Sequence, residues 1–151
     1  MSDVLYFDDF ALGRRFGSSA PIAVDVDAIK EFAHRFDPQA FHLHEAAAGA
    51  SVFGGLAASG WHTCAVTMRL IVDSDFRPAG GIVGVGVDEL RWPRPVRPGD
   101  TLGVVGEVIE LRPSRSKPMQ GIVRLRFTTR NQRGETVQEM IANLVVPRRP
   151  Q

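Results

Sequence analysis

The apolar residues after Gly81 follow a different period from those before it, and that change constrains the fold more than any other feature of the chain. Upstream, Val26, Ile29, Phe32, Ala33 and Phe36 recur at helical spacing behind Asp25, a residue type that caps helix N-termini. Pro38 disfavours helical geometry in the residue before it, so this helix is predicted to end at Phe36 or Asp37. A second helix is predicted over about 60–72, with Ser59 as its cap and Cys64, Ala65, Met68, Ile71 and Val72 as its apolar stripe. The loop between the two helices runs through Phe53-Gly54-Gly55, with a short helical turn at Glu45 to Ala50.

Downstream, β-rich segments are predicted over about 82–92, 101–112, 120–131 and 136–147. Val123, Leu125 and Phe127 alternate with Arg124 and Arg126, and Met140, Ala142, Leu144 and Val146 repeat the alternation, as in a sheet with one buried face. The links Pro93 to Asp100, Pro113 to Pro118 and Asn131 to Glu135 are short, so successive strands are expected to be antiparallel neighbours. The expected class is α+β, an antiparallel sheet packed on an apolar helix. Gly84 and Gly86 share one face of the first long strand; they either admit close approach of the central helix or mark a bulge without a packing role. Residues 148–151 read as a loose tail.

Composition removes several function classes. A length of 151 residues fits one domain with a single core and is too small for separate cofactor and substrate domains. Eighteen basic residues balance seventeen acidic ones, which gives no support for charge-driven nucleic-acid binding. All of the basic residues but Lys30 and Lys117 are arginines, a skew that fits genomic composition. Cys64 stands alone and no Cys/His spacing resembles a zinc site, so a reducing compartment is expected. The first ten residues carry Asp3, Asp8 and Asp9 and lack the basic start of a secretory signal. No apolar run approaches the roughly 20 residues that span a bilayer. A cytoplasmic protein without membrane association is the expectation.

Of the four histidines, His34 falls beside Arg35 on the first helix, where a surface position is expected. His62 follows the cap of the second helix and is expected to donate to a backbone group or to line a pocket. His42 is distinguished by its partner: Asp37-Pro38-Gln39-Ala40-Phe41-His42 sets a carboxylate and an imidazole on a proline-stiffened loop directly after a helix. The next block, Phe53-Gly54-Gly55-Leu56-Ala57-Ala58-Ser59-Gly60-Trp61-His62, ends at a helix N-terminus with unsatisfied N–H groups. An Asp/His pair and an oxyanion donor are the minimum set for proton transfer next to a carbonyl. Equally, Ser59-Gly60 is what a plain helix cap looks like.

Taken in order, Asp37-Pro38-Gln39-Ala40-Phe41-His42, Phe53-Gly54-Gly55, Ala58-Ser59-Gly60 and the long segment Leu90-Arg91-Trp92-Pro93-Arg94-Pro95-Val96-Arg97-Pro98-Gly99-Asp100 resemble the MaoC-like dehydratases, which include (R)-specific enoyl-CoA hydratases. The chain departs from that family in carrying Gln39-Ala40 for Asn-Pro, His44 for an Asp and Ser59 for a His. The resemblance implies one hot-dog domain over 1–151, an antiparallel sheet wrapped around a long helix, in a homodimer or higher oligomer. It implies Asp37 and His42 as the catalytic pair, the Gly60 amide as oxyanion donor, and Phe41, Ser59 and Trp61 at the substrate. The reaction implied is reversible hydration of a trans-2-enoyl-CoA, with the CoA thioester as substrate and no metal or other cofactor. Phosphates of CoA make Arg91, Arg94, Arg115 and Lys117 candidate contacts. Thioesterase chemistry and a non-catalytic acyl-thioester-binding subunit stay open at this point.

Overall fold

The computed structural model describes residues 3–151. A single 3-10 turn at Phe7–Asp9 precedes two short strands, β1 (Arg15–Gly17) and β2 (Ile22–Val24). Four helices follow, α1 (Val26–Phe36), α2 (Ala40–Leu43), α3 (Glu45–Gly49) and α4 (Gly60–Val72). Four long strands complete the chain: β3 (Val83–Arg91), β4 (Asp100–Pro113), β5 (Gln120–Arg130) and β6 (Thr136–Pro147). The Asp25 carboxylate accepts from the Ala28 N–H at 2.8 Å and starts α1; Pro38 lies two residues past its end.

All strand pairs are antiparallel, in the order β1-β4-β5-β6-β3, with β2 paired to the start of β4. The long strands stand where the alternation predicts them. β1, β2 and α2 escape such a reading because three or four residues carry less than two periods of any pattern. One neighbour relation differs from expectation: β3 pairs with β6, not with its successor β4. Residues 92–99 therefore form a crossing that leaves one edge of the sheet and re-enters on the far side of β5 and β6. Its course over the N-terminus of α4 is what assembles the site below.

Helix α4 lies against the buried face of the sheet, where Leu70 and Ile71 join Leu102, Val104, Val108, Val123, Leu125 and Leu144 in one core. The helix face turned to the sheet is not the expected stripe. His62, Thr63, Thr67, Leu70 and Ile71 are buried, whereas Ala65, Met68 and Val72 are exposed and Cys64 is half-buried. Apolar periodicity misplaces the face because the helix meets the sheet through polar groups. The Thr67 hydroxyl bonds that of Thr129 at 2.7 Å, Gln138 Nε2–H donates to Thr67 Oγ1 at 3.3 Å, and Cys64 Sγ–H donates to Gln138 Oε1 at 3.2 Å. Gln138 is fully buried, so these bonds satisfy a side chain that would otherwise be costly there.

Glycine is required at Gly106, opposite Phe127 on β5, since a Cβ there would lie 2.6 Å from the Phe127 ring. Gly84 and Gly86 instead have open space: the nearest atom to a Cβ at Gly84 is Leu144 Cδ2 at 3.8 Å, and nothing approaches Gly86. The strand register shifts between them, so they mark a bulge and no helix approach. The chain end is also anchored. Arg148 N–H donates to the Met119 carbonyl at 2.7 Å, and the Arg148 and Arg149 guanidinium groups hold Asp8 and Asp9 while lying over the rings of Phe7 and Tyr6. Among the described residues no helix is long and apolar enough to cross a membrane.

Candidate active site

The C-terminus of α1 delivers Asp37, and α2, one turn long, delivers His42. His42 Nε2 lies 3.3 Å from Asp37 Oδ2, and both side chains are largely buried. The other ring nitrogen, Nδ1, is 2.6 Å from the Ala57 carbonyl oxygen. A carbonyl only accepts, so Nδ1 carries a proton and Nε2 is the position at which the ring gains or loses one. The contact between Nε2 and Oδ2 is attractive only with a proton between them; two lone pairs at that distance repel. The pair thus shares one mobile proton.

Burial raises the affinity of the Asp37 carboxyl for a proton, but hydrogen bonds from Gln39 and Ser59 and the charge of a protonated His42 outweigh it, so its pKa falls below the ordinary carboxylate value. The Gln39 amide donates to Oδ1 at 2.5 Å. Asp37 is therefore a carboxylate throughout the neutral range. Gln39 was not legible as a site residue, because an amide two positions from an acid carries no spacing signal.

Two aromatic rings enclose the imidazole. Phe41 meets it edge-on at 4.6 Å between centroids, and Phe53, a residue the motif contained but to which no role attached, lies 5.9 Å away and 5.2 Å from Phe41. Ser59 is fully buried and its hydroxyl accepts the Trp61 N–H at 3.2 Å, capping α4. Gly60 opens that helix, and its N–H meets no acceptor among the described residues. The reason for glycine is not only access to the backbone. A Cβ at Gly60 would lie 2.6 to 2.9 Å from the Trp92 indole, which the crossing segment seats on this residue. Trp92 Nε1–H donates to Gln138 Oε1 at 3.0 Å, and Trp61, largely exposed, meets Trp92 edge-on at 5.5 Å.

The candidate phosphate contacts make local ion pairs or stand in a turn. Arg91 is exposed beside Glu89 at 3.9 Å, and Arg94 is held by Glu135 at 3.1 Å. Arg115 and Lys117 occupy the β4–β5 turn, which follows the end of β4 opposite Asp100. No ion pair or hydrogen bond joins Arg91, Arg94, Arg115 or Lys117 to the Asp37/His42 pair among the described residues. Among the described residues no group of three or more His, Cys, Asp or Glu side chains is placed to hold a metal ion.

His34 is exposed, as expected, and His62 is buried. Its ring stacks on Phe32 at 4.8 Å with planes 6° apart, and its Nδ1 is buried without a partner. Burial disfavours the charged imidazolium and lowers its pKa below the ordinary histidine value. The unfolded chain titrates near the ordinary value, about 6.5, and binds the proton more readily than the native state does. The stabilising effect of a neutral His62 is therefore complete above that value and is lost as pH falls through it toward the lowered native pKa. Urea midpoints measured across mildly acidic pH are expected to fall less steeply for His62→Leu than for the wild type.

The MaoC like domain family matches residues 9–131. The chain is 31% identical to the uncharacterized protein YdeM of Bacillus subtilis over 93% of its own length and 98% of that protein. Among solved structures, a MaoC-like dehydratase from Rhodospirillum rubrum is 54% identical and superposes with a TM-score of 0.93 over 97% of this chain and 99% of that one. The R-hydratase PhaJ1 of Pseudomonas aeruginosa is 27% identical, with a TM-score of 0.73 over 95% of this chain and 86% of that one. The sheet curled on α4 is the hot-dog fold, and the chain belongs to the MaoC-like domain family.

Proposed function

We propose that the chain catalyses reversible hydration of a trans-2-enoyl thioester to an (R)-3-hydroxyacyl thioester, with CoA as the carrier. The observation that carries this reading is the Asp37/His42 contact, with Nδ1 committed to the Ala57 carbonyl and the unpaired Gly60 N–H at the adjoining helix end. Similarity to an R-hydratase supports the same direction.

In the hydration direction Asp37, held as a carboxylate, takes a proton from water while the water oxygen bonds to C3. The C2–C3 π pair moves toward the thioester, and the Gly60 N–H stabilises charge on its carbonyl oxygen. The proton on His42 Nε2 passes to C2, and transfer of the new Asp37 proton to Nε2 restores the pair. Dehydration is the same sequence reversed. Phe41 and Phe53 limit water around the imidazole, which strengthens each of these charge interactions.

The test uses crotonyl-CoA and longer enoyl-CoAs, read in parallel as loss of conjugated-thioester absorbance and as free thiol. Hydration without thiol release is expected. Thiol release without hydration would assign a thioesterase, and saturable binding with neither would assign a binding subunit.

The working unit in this reading is a homodimer. Strand β3 is an edge strand nine residues long, paired on one side only, and it exposes Val83, Val85 and Val87, while α4 exposes Trp61, Met68 and Val72. Light scattering is expected to give twice the chain mass for the wild type and a monomer for Val85→Asp.

A further inference from the structure

We infer that Arg97 is a positioning residue for His42, acting through the loop that commits Nδ1 to its proton and so leaves Nε2 as the exchanging position. The inference rests on the hydratase reading for its kinetics alone. Arg97 lies in the crossing segment, and its guanidinium serves three backbone carbonyls of one loop: Nη1–H donates to Gly55 at 2.9 Å and to Leu56 at 3.3 Å, and Nη2–H donates to Phe53. Next to it the Val96 carbonyl accepts the Ala58 N–H at 2.9 Å. Residues 53–58 are thus gripped at both ends by two consecutive residues of a distant segment. Arg97 is itself held from behind, because the buried Asp100 carboxylate accepts its backbone N–H at 2.9 Å and the Gln132 amide at 2.9 Å.

The gripped loop touches His42 in two places. Ala57, one residue past Leu56, supplies the carbonyl that takes Nδ1–H. Phe53, whose own carbonyl Arg97 holds, lays its ring against the imidazole. Neither contact is made by Arg97, yet both depend on where the loop backbone lies. Leu56, Ala57 and Ala58 are buried and the Gly54 N–H donates to the Ser51 carbonyl at 3.0 Å, but Gly54, with a φ of +65°, and Gly55 carry no side chain to fix the turn between Phe53 and Leu56. A Cβ at Gly55 would lie 3.3 Å from Arg97 Nη1, which shows how closely the guanidinium lies on the backbone. Only a planar group with several N–H donors at fixed angles serves three carbonyls at once; a lysine ammonium on a flexible stem does not reproduce that arrangement. Loss of the grip frees the Ala57 carbonyl to drift, and the preference of the neutral ring for Nδ1–H over Nε2–H goes with it.

The experiment compares wild type, Arg97→Ala and Arg97→Lys by histidine nitrogen NMR and by steady-state kinetics, with and without millimolar guanidinium. At a pH high enough for the shared proton to have left, wild type is expected to show a neutral His42 with its remaining proton on Nδ1. Arg97→Ala is expected to show mixed tautomers and a kcat lowered about 10²-fold, with KM for crotonyl-CoA changed much less, because a displacement of about 1 Å at a reacting group costs on that order. Added guanidinium is expected to restore both the Nδ1–H signal and most of kcat, and Arg97→Lys to restore neither. A folded Arg97→Ala with the wild-type His42 tautomer overturns the inference, whatever its activity. So does an Arg97→Ala whose loss in kcat guanidinium leaves unchanged while the circular dichroism stays native. If the wild type itself lacks hydratase activity, the hydratase reading fails and the NMR comparison still decides the role of Arg97.

Discussion

Asp37→Asn and His42→Asn are each expected to reduce kcat for crotonyl-CoA hydration by about 10³-fold or more, in the range that loss of an acid or base function costs. Both substitutions spare the scaffold. Asparagine at 37 still accepts the Gln39 amide through its carbonyl, and asparagine at 42 offers an N–H toward the Ala57 carbonyl while removing Nε2. Because one proton is shared between Oδ2 and Nε2, the two groups act as a unit, and the double variant is expected to be no worse than the poorer single one. Multiplicative losses would show independent roles, and near-wild-type turnover in both single variants would remove the pair from the chemistry altogether.

The second large effect is expected at Gly60. Gly60→Ala puts a methyl group 2.6 Å from Trp92 Cε2, against the body of a ring that is tied to the buried Gln138 and cannot simply rotate away. Overpacking of this kind costs about 1–3 kcal/mol. If the N-terminus of α4 retreats instead, its N–H leaves the developing oxyanion, and loss of one such donor costs about 10²–10³ in kcat. Chemical denaturation and kinetics on Gly60→Ala, Trp92→Ala and the double variant separate the two. The double variant is expected to recover stability relative to Gly60→Ala, since the clash has gone, and to recover kcat to the extent that the N–H returns to its place. A Gly60→Ala enzyme with wild-type stability and turnover would contradict both the packing and the oxyanion role.

Much of this site was legible in the chain. Asp37 and His42 are five residues apart around a proline, so local geometry alone keeps them close, and Ser59 and Gly60 are read as a cap and first helical residue by chemistry that needs no tertiary context. What holds them lies far away in sequence. Ala57 is 15 residues from His42, and Arg97 is some 40 residues from the loop it grips. Those relations follow from the crossing of residues 92–99 over α4, which short-link reasoning reads instead as a plain hairpin between β3 and β4.

The sequence by itself determined the longer elements: period-2 alternation marks the four long strands, and capping residues and a proline bound α1 and α4, because these signals act over a few residues of backbone. Only the tertiary structure decided which face of α4 is inside, since Thr67 and Gln138 are as well satisfied in a core by hydrogen bonds as leucines are by contact. It alone decided that Gly60 is glycine for Trp92 and that the 148–151 tail is pinned by Asp8 and Asp9. Each of these depends on atoms distant in sequence meeting at a few ångströms, and apolar periodicity holds no information about which distant residues will meet.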